Sequence, residues 1–205
     1  MVIEAARSQG RYEPAVCLTH GPLPSAIEMM PPRVLGVEVA LETDDQLQRL
    51  RQQGLVAFAA VGDNALRRKL CAKLERIGFE LATIVASNAW LSPSAQVGSG
   101  TVLMPGSVVG AETKLGQGVI VNTCASVDHD CRIAAFAHIA PGVHLAGNVQ
   151  LGEETFLGVG ASVIPEKQIG ARVTIGSGAV VVSHVPDDQV WIGCPARHFK
   201  RRTNE

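Results

Sequence analysis

The chain carries almost no net charge: 18 Lys and Arg stand against 19 Asp and Glu, a formal value of −1 at pH 7. No global basic field is present to hold a nucleic acid. It also lacks any apolar run near the roughly 20 residues that a bilayer-spanning helix requires. The amino terminus, Met1-Val2-Ile3-Glu4-Ala5-Ala6-Arg7, has no long apolar core of the signal-peptide kind. The five cysteines (Cys17, Cys71, Cys124, Cys131, Cys194) are odd in number and contain no CxxC pair. That argues against a disulfide framework and for a reduced, cytoplasmic protein with neither membrane nor nucleic acid as partner. At 205 residues the chain has room for one large domain or two small ones.

What the chain does have is a period of six. Aliphatic residues recur at every sixth position from Val85 to Val181: Val85, Leu91, Val97, Leu103, Val109, Leu115, Val121, Val127, Ile133, Ile139, Leu145, Leu151, Leu157, Val163, Ile169, Ile175, Val181. Six matches neither the 3.6 of a helix nor the 2 of a simple strand. It fits a solenoid of short strands and turns in which one aliphatic per hexad points inward. Small or β-branched residues follow four positions later, among them Thr101, Ser107, Thr113, Val119, Ala125 and Cys131, and suit a cramped interior corner. Gly98, Gly110, Gly116, Gly152, Gly158, Gly170 and Gly176 directly follow the aliphatic, where a corner requiring positive φ is expected. With three hexads per coil, about five coils are expected. Lys167 occupies one inward-small position, so an irregular corner is expected there.

Residues 1–84 follow another grammar. Val2–Gln9 reads as a helix ending at Gly10, and Ala15–Thr19 as a short strand. A Pro-rich loop runs from Gly21 to Pro32, and Val34–Leu41 is strand or hairpin. Thr43–Gln53 reads as a helix capped by Thr43, Leu55–Val61 as a buried strand, and Asn64–Ile77 as a helix after Gly62-Asp63-Asn64. Such alternation points to a small Rossmann-like α/β domain, 1–84, before a solenoid domain, 85–182, and a tail, 183–205. An α/β domain of this kind normally opens with a buried strand and a phosphate-holding glycine loop. Here the chain begins inside the first helix, so that strand and loop are expected to be missing.

The polar cluster is Asn122-Thr123-Cys124-Ala125-Ser126-Val127-Asp128-His129-Asp130-Cys131, followed by His138 and Gly147-Asn148. Val127 and Ile133 set the phase, so His129 faces outward. A histidine between two carboxylates suits general-base work, because a carboxylate orients the ring and stabilises the imidazolium. The alternative is a surface histidine with solvated neighbours. Zinc held by His129, His138 and His144 is a rival use. His138 and His144 lie one hexad apart and project from successive faces, so one chain alone does not gather all three. His20, His184 and His198 are expected in loops or the tail with no specific task.

Val127–Cys131, Phe136–His138, Leu145-Ala146-Gly147-Asn148, Phe156–Pro165 and Ile192-Gly193-Cys194-Pro195-Ala196-Arg197 resemble the bacterial sugar acyltransferases with hexapeptide repeats. The resemblance is nearest to N-acetyltransferases of nucleotide-linked 4-amino sugars and to the related sialic acid O-acetyltransferases. Gly62-Asp63-Asn64 with Arg67 also looks like their nucleotide-sugar domain. The resemblance implies a left-handed parallel β-helix, a homotrimer with active sites between subunits, acetyl-CoA as co-substrate, no metal, and a nucleotide sugar as acceptor. It implies His129 as general base, with Asp130 or else Asp128 orienting it, and the Gly147 N–H as oxyanion donor. It implies His138, Gly158, Gly160, Gly176 and Gly178 near acetyl-CoA, and Asn122, Gly62, Asn64 and Arg67 near the sugar. The four glycines have a second reading as plain corner residues. Thr19-His20-Gly21 has no carboxylate where the family carries acidic residues near the nucleotide. A γ-type carbonic anhydrase and a non-catalytic β-helix scaffold are the readings from other classes.

Overall fold

A computed structural model describes residues 1–19 and 33–199. The loop expected at Gly21–Pro32, His20, and the basic residues Lys200, Arg201 and Arg202 lie outside the described residues. From Ile84–Val85 to Val180–Val181 the chain forms seventeen two-residue strands. Each pairs in parallel with the strand one coil later, as Ile120 with His138 and Val121 with Ile139. Three sheets result and form the faces of a prism. The first face runs Ile84–Val85, Val102–Leu103, Ile120–Val121, His138–Ile139, Phe156–Leu157 and Thr174–Ile175. The second includes Trp90–Leu91, Ser126–Val127 and His144–Leu145; the third includes Lys114–Leu115, Arg132–Ile133 and Gln150–Leu151. With six, six and five strands on the faces, nearly six coils form rather than five. Residues after Val182 also stay on the prism: Val190–Ile192 extends the first face and Arg197–His198 folds back against it.

The inward register follows the sequence period. Leu103, Val109, Val121, Val127, Ile139, Leu157, Ile175 and Val181 are fully buried, while Val85, Leu91 and Val97, in the end coil, are partly buried. An end coil has a neighbour on one side only. The glycine expectation needs correcting in its physics. The glycine after the aliphatic does not take positive φ; a Cβ on Gly152 would lie 2.3 Å from the Ala171 nitrogen in the next coil. Close coil stacking excludes the side chain there. Positive φ falls two residues later instead, at Gly100 and Gly118 but also at Asp130 (62°) and Phe136 (59°). Lys167 causes no irregularity, since its carbonyl accepts from Gln150 at 2.9 Å like its counterparts in other coils.

The first region packs on the first face. Helix α1 (Val2–Ser8) buries Ala5 and Ala6 against Ile84, Val102, Met104 and Ile120. Strand β1 (Val16–Thr19) pairs in parallel with β3 (Val37–Leu41), which forms a hairpin with β2 (Arg33–Val34). Helix α2 (Asp44–Gln52) is capped by Thr43, whose hydroxyl accepts from the Gln46 N–H at 3.2 Å. Helix α3 spans Asn64–Ile77, with Asp63 accepting from the Leu66 N–H at 2.7 Å and Gly78 closing it in the left-handed conformation. The buried strand expected at Leu55–Val61 reduces to a single parallel bridge, Ala57 with Leu81. Beside it lies a cavity of about 580 Å³ lined by Val2, Val16, Leu18, Leu47, Phe58 and Phe79, and among the described residues the segment has no second strand neighbour. No described helix is long and apolar enough to cross a membrane.

Candidate active site

His129 sits in the corner that joins the second face to the third, and its side chain is 60% exposed. Its Nδ1 lies 2.8 Å from Asp130 Oδ2. A carboxylate only accepts, so Nδ1 carries the proton and Nε2 keeps its lone pair. The hydrogen bond to Asp130, then the charge of Asp128, raise the imidazole pKa above its ordinary value. The two carboxylates divide their work: Asp130 holds the ring, whereas Asp128 Oδ1 accepts from the backbone N–H of His129 at 2.8 Å. Arg132 braces the corner from the third face, donating to the carbonyls of Glu112 (2.8 Å), Cys131 (3.1 Å) and Asp130 (3.4 Å).

Gly147 occupies the same corner one coil later. A Cβ there would lie 2.6 Å from both Cε1 and Nε2 of His129, so the imidazole rests in the space that the missing side chain leaves. Ala146 replaces the aspartate that caps the amide in the preceding coil. The Gly147 N–H accordingly meets no acceptor among the described residues, although Gly147 is buried. An N–H without an internal partner is open to an external acceptor, and at Gly147 it stands beside His129. Base and open amide thus share one edge of the prism.

A second cluster forms on the first face. His138 is part-buried, with Nδ1 3.1 Å from the Gly62 carbonyl and Nε2 3.2 Å from Asn122 Nδ2. The carbonyl requires the proton on Nδ1, so Nε2 accepts from the Asn122 amide. Burial, partly offset by the Gly62 hydrogen bond, lowers the pKa of His138 and keeps the ring neutral. Phe156, one coil on, meets it edge-to-face at 5.2 Å. That partner is readable from the 18-residue coil spacing, but its ring geometry is not.

Gly62, Asn64 and Arg67 come together as expected, yet their polar groups hold the first region to the prism. Arg67 is fully buried and donates all five N–H groups: to the carbonyls of Gly118, Val61, Gly62 and Phe136 and to Asn64 Oδ1. Asn64 in turn donates to the Glu154 and Thr155 carbonyls. Burial lowers the Arg67 pKa to about 10, still leaving it charged at neutral pH. With no donor left over, Arg67 is a structural clamp and not a phosphate ligand. His184 also departs from expectation, because its Nδ1 accepts from the Gln168 N–H at 3.0 Å and covers the end of the third face.

The remaining glycines separate into two kinds. Gly158 and Gly176 follow the inward aliphatic, where a Cβ would press on Ser177 and Ile192 respectively, so packing requires them. Gly160 and Gly178 have positive φ and open space outside. All four lie at the edge between the first and second faces, the edge of Asn122, and not at the edge of His129. The zinc alternative meets a geometric obstacle: His138 and His144 belong to different sheets, and His144 Nδ1 lies 2.8 Å from Ser126 Oγ. No group of three His, Cys, Asp or Glu side chains able to hold a metal ion occurs among the described residues.

No family model matches the chain. It is 31% identical over 147 residues to a GDP-perosamine N-acetyltransferase of Escherichia coli O157:H7, a match covering 69% of this chain and 66% of that protein. In three dimensions it is similar to PerB from Caulobacter crescentus in complex with CoA and GDP-perosamine, with 42% identity, TM-score 0.86, and 97% and 91% of the two chains covered. It is also similar to the acetyltransferase domain of PglB from Neisseria gonorrhoeae in complex with acetyl coenzyme A, with 38% identity, TM-score 0.87, and coverage of 97% and 92%.

Proposed function

The chain belongs to the hexapeptide-repeat acetyltransferase family, and we propose that it moves an acetyl group from acetyl-CoA to the amine of a nucleotide-linked 4-amino sugar. The observation that carries this is the His129–Asp130 pair lying over Gly147 with an unused backbone N–H. The sugar amine attacks the thioester carbonyl carbon while His129 Nε2 accepts its proton. The Gly147 N–H receives the oxyanion as charge develops, which is where a fixed dipole lowers the barrier. Collapse breaks the C–S bond, and the proton on His129 passes to the departing CoA thiolate. No covalent acyl-enzyme is required. Asp130 keeps the base in the correct tautomer throughout.

We infer a homotrimer with shared sites, a reading that the second face supports. His129 and Gly147 lie along one edge of that face, whereas Asn122, Gly160 and Gly178 lie along its other edge. One chain does not bring the two edges together; a second copy set against this face does. Trp90 (61% exposed) and Val108 (40%) stand outward on it, apolar groups that gain by being covered. In this arrangement acetyl-CoA lies between prisms, with Gly160 and Gly178 giving its pantetheine arm a close approach to backbone. The first 84 residues, clamped beside Asn122 and His138, carry the nucleotide sugar. The five free cysteines accord with a cytoplasmic setting.

The test is CoA release from acetyl-CoA with a panel of GDP-, UDP- and dTDP-linked 4-amino sugars and free sialic acid. Release with one amino sugar, GDP-perosamine being the first to try, supports the proposal. Release with sialic acid alone replaces it by O-acetylation. No release with any acceptor overturns it.

A further inference from the structure

The corner that bears His129 does not close on itself. At the edge between the first and second faces, corners close by a direct N–H to C=O bond, as from Ala125 to Asn122 at 3.0 Å or Val143 to Ala140 at 3.2 Å. In the Asp128–Cys131 corner no such direct bond forms. The hydroxyl of Thr113, fully buried in the preceding coil, stands between the two ends instead. It donates to the Asp128 carbonyl at 2.6 Å and accepts from the Cys131 N–H at 3.2 Å. The thiol of Cys131 then donates to the Ala146 carbonyl at 3.4 Å, beneath the corner of Gly147. A column of interior donors thus supports both halves of the candidate site from inside the prism.

We propose that Thr113 is a positioning residue for His129: its hydroxyl fixes both ends of the corner and so sets where Asp130 holds the imidazole relative to Gly147. The residues between the bridged ends are His129 and Asp130 alone. Asp130 sits at positive φ, so the orientation of its carboxylate depends on a backbone held at its flanks. The molecule contains its own control. Thr101 makes the same two bonds, donating to the Gly116 carbonyl at 2.9 Å and accepting from the Val119 N–H at 3.1 Å, at an edge with no catalytic group. A merely structural role predicts equal consequences for the two threonines.

The inference rests on the acetyltransferase reading, and the experiment separates the two. Thr113→Val keeps shape and removes the hydroxyl. Expected is a fall in kcat of about tenfold with KM for acetyl-CoA unchanged, the cost of a misplaced base. Titration of the His129 ring by NMR should give a lower pKa than in the parent, because the Asp130 hydrogen bond that raises it is weakened. Thr113→Ser should restore both values, and Thr101→Val should leave both at the parent level. Thr113→Cys, whose thiol has a precedent in Cys131, covers the case in which the valine variant fails to fold, and should fall between. Parent values of kcat and His129 pKa in Thr113→Val, or in Thr113→Cys where that variant stands in for it, or equal losses in Thr101→Val, overturn the proposal. If the parent acetylates no sugar, the functional reading fails and the NMR titration alone decides: a lowered pKa supports the positioning role and an unchanged one overturns it.

Discussion

Arg67 and His129 are the two basic side chains through which the first region and the prism edge can be compared. Arg67 is fully buried, charged, and bound to five acceptors, four of them backbone carbonyls. His129 is largely exposed and has one side-chain partner, with a second nitrogen left unused. A charge whose every donor is spent can only hold structure in place. A polar group oriented at one end and open at the other can exchange a proton. The number of unused donors and lone pairs, more than burial or charge, separates the clamp from the candidate base.

Three substitutions break or sharpen that contrast. His129→Ala carries the largest expected effect: kcat should fall about 10²–10⁴-fold, the usual contribution of a general base. The urea midpoint should stay at the parent value, since the ring is exposed and its removal leaves little unpaired. Arg67→Met should do the converse. It strands four carbonyls and the Asn64 oxygen, for a loss of about 3 kcal/mol by urea denaturation. A stable Arg67→Met variant that has lost affinity for the sugar nucleotide would return Arg67 to the binding site. Asp130→Asn is the smallest and the most specific, since asparagine accepts positive φ. The acetyl-transfer rate depends on neutral His129, so it rises with pH through the raised pKa. Loss of the carboxylate lowers that pKa, and the acid limb of kcat/KM should move to lower pH. An unmoved limb would give the orienting role to Asp128.

The six-residue period was legible because one geometric demand repeats seventeen times: an aliphatic side chain must point inward in each hexad. The helices α2 and α3 were legible for a local reason, their caps at Thr43 and Asp63. The outward placement of His129 and Asp130 was legible because Val127 and Ile133 set the phase of their corner. Arg67 was not. Its acceptors include Gly118 and Phe136, which lie 51 and 69 residues away. A charge beside a glycine turn reads the same whether it meets a phosphate or four carbonyls. The glycines after the aliphatic were found in the right places for the wrong reason, since their cause is a backbone in the adjacent coil.

By itself, then, the sequence determined the solenoid, its inward register and the outward placement of the candidate base, because each depends on residues within a hexad or two. Only the tertiary structure decided the rest. Stacking at 18-residue intervals puts Gly147 under His129 and Thr113 beneath the corner. Packing of the first region on the first face turns Gly62, Asn64 and Arg67 inward. The physical reason is that a single coil fixes which way a side chain faces, but not what the next coil or the neighbouring region presents to it.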